Sequence, residues 1–241
     1  MNDAAFEAFV ATVLPAHAVD TANDTHEAHL LRFDPGQCPD RSSGFTGVRA
    51  NAGEGAVVDP VAPWREEHEC FVRLLRLLQM QVDVFHAGVE PNYALMQGIV
   101  SYLREYSDHF HHPREDVAFE RLTSHCPEVE LIVARLRQEH RVIAHTGATL
   151  MAHVEAALEG SILPREQLEA AAATYLIYYQ NHIRTEETTI LVRAAQHLTA
   201  EDWEAVRAAV PVAPDPLFGV DPQTRFRELR RQIEQEAHAE E

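Results

Sequence analysis

From Trp64 onward, four stretches of the chain repeat apolar residues every three or four positions, the period of one face of an α-helix. The first, over about 64–87, carries His68, Phe71, Leu75, Leu78, Val82 and Phe85 on its stripe, and Gly88 and Pro91 break it. The second starts near Asn92 and carries Met96, Val100, Leu103, His111, Glu115, Ala118 and Leu122. Pro113 lies inside it and predicts a kink or a freed carbonyl, because the ring nitrogen has no proton to donate. Pro127 opens the third, with Leu136, His140, Ile143, Leu150, Val154 and Leu158. Gly160 and Pro164 separate it from the fourth, with Ala171, Tyr175, Tyr178, His182, Glu186 and Ile190. Four long helices with short connections predict an all-α fold, an antiparallel up-down four-helix bundle over 64–198.

The flanks read differently. Residues 1–14 have the pattern of a short amphipathic helix, with Phe6, Phe9, Val10 and Val13, and the prolines and glycines that follow allow no lasting period. Residues 1–63 are therefore expected to form an irregular N-terminal extension. Residues 199–241 are expected to add C-terminal helices. Thr199 is placed to cap one, with Glu201 and Asp202 in its first turn, and Phe226, Leu229 and Ile233 mark another over about 222–237.

The stripes hold residues that a bundle core does not ordinarily bury. Helix two reads His111-His112-Pro113-Arg114-Glu115-Asp116 and helix four reads His182-Ile183-Arg184-Thr185-Glu186-Glu187, so each contains His-x-x-x-Glu followed by a second acid. Residues four apart share a helix face, and both pairs fall on the apolar stripe. A buried carboxylate is costly unless it is paired or binds metal. His68 and His140 add one inward imidazole from each of the other two helices. A lone inward histidine is more often a core residue bonded to a neighbour; six such residues from four helices point to metal ligation. The expected ligands are His68, His111, Glu115, His140, His182 and Glu186, the inventory of a dinuclear site in a helical bundle. Imidazole and carboxylate without thiolate suit non-haem iron, with manganese or zinc as alternatives.

Register decides between His111 and His112. Stepping back from His111 at α-helical intervals meets Leu103 and Val100, whereas stepping back from His112 meets Asp108, Glu105 and Ser101. The polar second stripe assigns His109 and His112 to the flank. Asp116 and Glu187 are expected beside the ligands or at the surface, and Tyr175 and Tyr178 to pack near His182.

The formal net charge of −18 argues against nucleic acid and anionic membranes as partners. Three cysteines without a CxxC pair, no long apolar run and no basic-then-apolar leader fit a reducing, cytoplasmic setting.

The stretch His111–Leu122 (HHPREDVAFERL), the Glu139-His140 pair, the HIRTEE stretch of helix four and His68 together resemble the hemerythrin-like (HHE cation-binding) family. The resemblance covers about 64–198 and runs on through Asp215-Pro216-Leu217-Phe218. It implies two iron ions in a di-iron centre with an oxo or hydroxo bridge, held by the six residues named above. One departure stands out. Oxygen-carrying hemerythrins have His-x-x-x-His on helix three, but Ala144 occupies the position four after His140, and His145 is rotated by roughly 140° from it. The expected function is therefore binding of, or reaction with, a small diatomic or peroxide ligand rather than oxygen carriage. Peroxide breakdown is the expected activity if the protein is an enzyme. The alternative is a non-catalytic iron or oxygen sensor or iron-handling protein.

Overall fold

The computed structural model describes residues 59–161, 164–210, 213–219 and 223–239, and every regular element among them is a helix. The expected helix at 1–14 and the extension up to residue 58 lie outside the described residues.

Helix α1 spans Ala62–His86, with Pro63 in the first turn, where a missing N–H leaves no bond unmade. It ends at Gly88, whose φ of 83° is one that side chains disfavour. Helix α2 spans Tyr93–Tyr102 and is capped by the Asn92 side chain, which accepts from the Leu95 amide. The Asn92 amide in turn donates to Oε1 of Gln81 near the end of α1, at 2.8 Å.

A π-helical stretch, Leu103–His111, then leads into α3, His112–His125. The expected single helix is thus interrupted, for a local reason. Pro113 cannot close an α-helical bond, and just before it the His112 amide reaches five residues back to the Ser107 carbonyl. A short 3₁₀ turn, Pro127–Val129, precedes α4, Glu130–Leu158. Helix α5, Arg165–Thr185, passes through a second π stretch, Glu186–Ile190, into α6, Leu191–His197. The close approach of α4 to α5 rests on Gly147, where an added Cβ would lie 2.9 Å from the Tyr175 ring.

Helix α7, Ala200–Ala209, opens with the expected Thr199 cap, and Asp202 completes a capping box. Helix α8, Arg227–Ala239, follows a 3₁₀ turn at Thr224–Phe226.

Two apolar clusters form the core. The larger contains Phe71, Leu74, Leu78, Ile99, Tyr102, Tyr106, Ile143, Leu150, Leu176 and Tyr179, and it takes in Leu217, Phe226, Leu229 and Ile233 from the C-terminal segment. The smaller contains Trp64, Ala118, Phe119, Leu122, Val133, Leu136, Ile190, Leu191 and Trp203. Each long helical stretch crosses from one cluster to the other, and the crossing falls at His68, at His111–Glu115, at His140 and at His182–Glu186. The buried polar residues therefore form a layer between two apolar blocks. Among the described residues no helix is long and apolar enough to cross a membrane.

Candidate metal centre

His68, His111, Glu115, His140, His182 and Glu186 are all buried, and the structure brings them together. His68 Nε2 lies 3.4 Å from Glu115 Oε1 and 3.4 Å from Glu186 Oε2. His111 Nε2 is 3.2 Å from Glu115 Oε1, and His182 Nε2 is 3.0 Å from Glu186 Oε1. His140 Nε2 is 3.6 Å from Glu115 Oε2 and 3.7 Å from Glu186 Oε1. Each carboxylate thus faces imidazoles from both sides of the layer.

The other nitrogen of each imidazole is held by an acid from a neighbouring helix. Glu67 on α1 holds Nδ1 of His111. Asp116 on α3 holds Nδ1 of His140 at 3.1 Å, and Glu139 on α4 holds Nδ1 of His182 at 3.2 Å. Glu187, in the second π stretch, holds Nδ1 of His68 at 2.8 Å and closes the circle. A carboxylate can only accept, so each Nδ1 carries a proton, and Nε2 is the nitrogen left to give its lone pair to a metal at the centre. Every acid in the circle also has an arginine behind it: Arg114 on Glu67, Arg137 on Asp116, Arg135 on Glu139 and Arg65 on Glu187.

This arrangement needs positive charge at its middle. Both oxygens of Glu115 and of Glu186, together with Nε2 of His140 and of His182, are sealed from solvent and have no hydrogen-bond partner. Nε2 of His68 and of His111 face each other at 2.9 Å. Burial opposes charge on His68, but Glu115, Glu187 and Glu186 outweigh it and push the imidazole up to about 10. His140 and His182 are also raised: burial acts against them, and their carboxylate neighbours prevail. Burial would raise Glu115, yet the surrounding His111, His140 and His68 hold it well below the usual range. Without a metal, only protons held on the imidazoles offset the two buried carboxylates, each of which costs several kcal/mol to bury as an ion. Cations bound between these acceptors would relieve that cost, so the residues present fit a metal. Two groups of donors lie within 4.8 Å of one another and could each hold an ion: His68, His111 and Glu115, and His112, Glu115, His140 and His182.

His112 corrects the flank position expected for it. It is buried and stacks on His140 with ring centroids 4.2 Å apart. The α-helical stepping fails because the intervening stretch is π-helical, which inserts extra chain and turns both His111 and His112 inward. His112 is not free for a metal in the same way as the others. The Tyr179 hydroxyl donates to Ser107 Oγ at 2.5 Å, and Ser107 lies 3.0 Å from His112 Nε2. Burial, with His140 and His182 nearby, holds His112 well below its ordinary value, so it is neutral. His112 therefore braces the His140 ring.

His109 is exposed, as expected, and bonds the carbonyls of Arg104 and Glu105. His145 is exposed too, away from the layer. Tyr175 is buried, but Tyr178 turns outward, and Tyr179, three residues before His182, takes the inward place. Sequence reasoning missed Glu67 and Glu139 as partners. The signal was an acid directly before each lone histidine, Glu67-His68 and Glu139-His140, matching the acid directly after each inward glutamate.

Residues 59–194, over half of the chain, match the Hemerythrin HHE cation binding domain, and the chain belongs to that family. No curated protein and no solved structure matches it.

Proposed function

We propose that this chain is a non-haem di-iron protein that binds or reacts with a small oxidant, whether dioxygen, peroxide or nitric oxide. The observation that carries the reading is the doubled donor group: two sets of imidazoles that share Glu115, with Glu186 facing both. His68 and His111 would hold one ion, His140 and His182 the other, and the two glutamates would span them.

An antiparallel up-down bundle over 64–198, with 1–63 and 199–241 as its extensions, is the arrangement we assign to the scaffold. Its support is the alternation of the core. Trp64 to Phe71 runs from the small cluster to the large one, Tyr106 to Ala118 runs back, Leu136 to Ile143 runs forward, and Tyr179 to Ile190 returns. The ring of acid-to-imidazole bonds passes between neighbouring helices in the same order.

When bound, iron would supply sites that exchange electrons with the oxidant. The chain's own contribution is orientation and dryness. The Nδ1 bonds fix ring planes and tautomers, and the acids behind them raise imidazole basicity. Phe71 and Phe119 close the layer on its two sides, with Phe71 lying 4.9 Å from the His111 ring and Phe119 6.2 Å from the His140 ring. Missing an imidazole at Ala144, this chain is a poor match for reversible oxygen carriage, and peroxide reduction is the reaction we favour.

Metal analysis of aerobically purified protein, with visible spectra before and after reduction and after re-exposure to air, tests the proposal. Two irons per chain and a charge-transfer band that bleaches and returns are expected. A single ion, or no iron uptake, would overturn it.

A further inference from the structure

We infer that Tyr102 is a one-electron donor to the metal layer, connected to it through Tyr106 and Phe71; this rests on the proposed di-iron reading. Tyr102 and Tyr106 are both buried and stack nearly parallel, with centroids 5.7 Å apart and planes 13° from parallel. Phe71 lies edge-on to both, at 6.3 Å from Tyr102 and 6.4 Å from Tyr106, and 4.9 Å from the ring of His111. Every step from the layer to Tyr102 is therefore one ring-to-ring contact.

Polar bonds follow the same route. The Tyr106 hydroxyl donates to Glu67 Oε1 at 3.2 Å, and the other oxygen of that carboxylate holds His111. The Tyr102 hydroxyl donates to Asp215 Oδ2 at 2.9 Å. A phenol loses an electron readily only if its proton has somewhere to go, and a buried carboxylate already bonded to it is such a place. Asp215 is itself buried, and its second oxygen accepts from the amides of Leu217 and Phe218. Ordinary packing requires one hydrogen bond for a buried hydroxyl. It does not require two stacked tyrosines, each on its own buried acid, in line with a ligand.

Reduction of hydrogen peroxide to two waters consumes two electrons and two protons. One electron comes from Tyr102: its O–H bond breaks, the proton passes to Asp215 Oδ2, and a neutral phenoxyl radical remains. The other electron comes from ferrous iron, and water supplies the two protons. A solvent-borne one-electron reductant such as ascorbate then acts twice, once to restore the phenol, with the proton returning from Asp215, and once to return the iron to the ferrous state. The pathway spares the imidazoles and carboxylates of the centre from oxidation.

The test mixes the iron-loaded full chain, first reduced to the ferrous state without oxygen, with hydrogen peroxide, freezes it within milliseconds and reads electron paramagnetic resonance, with ring-deuterated tyrosine to identify the radical. A tyrosyl signal is expected in the wild type, lost in Tyr102→Phe, slower to form in Tyr106→Phe and in Asp215→Asn, and unchanged in the exposed Tyr178→Phe. Tyr102→Phe keeps the ring and its packing, so its iron content should match the wild type, while the bond lost to Asp215 lowers its melting temperature by a few degrees. Peroxide consumption without a tyrosyl radical, or a radical that survives in Tyr102→Phe, overturns this inference alone. A chain that takes up iron but leaves peroxide untouched overturns the peroxide reading together with it.

Discussion

Glu115 lies within reach of His68, His111 and His140, so its loss removes an acceptor from both proposed ion positions at once. Glu115→Ala is expected to abolish iron loading, measured by metal analysis. Asp116→Ala should keep most of the iron and weaken its affinity by about tenfold, because Asp116 touches only the outer nitrogen of His140 and water can replace it. Equal iron in the two variants would refute the register. Glu67 is a harsher case. It accepts from His111, Tyr106 and Arg114, and the Arg114 guanidinium is buried beside it. Glu67→Ala should destabilise the fold by about 3–5 kcal/mol in denaturant titration, since it leaves a buried cation unpaired. The six inward residues could be read in the sequence because each falls on a stripe that is otherwise apolar. Glu67 and Glu139 left only a faint signal, because an acid one residue off the stripe looks like solvated surface until the neighbouring helix is in place.

At the scale of elements, the capping box of α7 ties that helix to α3. Asp202 accepts from the Thr199 side chain and backbone, and also from Arg121 and His125. The Thr199 bonds, with smaller help from Arg121 and His125, hold the Asp202 carboxyl well below the usual aspartate range. A depressed carboxyl stabilises the fold above its unfolded value, about 3.9, and loses that contribution as pH falls toward the folded value. Asp202→Asn should therefore melt lower than the wild type at pH 6, with the gap closing as the pH approaches 2. Thr199→Ala should cost about 1 kcal/mol, or about 2–4 °C in melting temperature. This cap was legible in the sequence because its spacing is local. The two π stretches were not, since a sequence pattern is read at one assumed period. Their effect is concentrated where Pro113 withdraws a donor and His112 turns inward.

For the whole molecule, the C-terminal segment packs into the larger core cluster through Leu217, Phe226, Leu229 and Ile233, and only its amphipathic spacing foretold that. What it packs against depends on contacts far apart in the chain, beyond the reach of periodicity. The arginine backing also differs around the layer. Arg114 and Glu67 behind His111 are each only 6% exposed, whereas Arg137 behind His140 is 45% exposed and Arg135 behind His182 is 59% exposed. Water and salt can compete for the outer bonds of His140 and His182, and hardly at all for that of His111. Behind His68, Arg65 and Glu187 are 36% and 29% exposed, so the proposed ion at His68 and His111 keeps one shielded outer bond and the one at His140 and His182 keeps none, and the two should leave at different speeds. Challenged with a chelator, the protein should release iron in two phases, the ion at His140 and His182 going first and faster at high ionic strength, with a singly loaded form persisting between them.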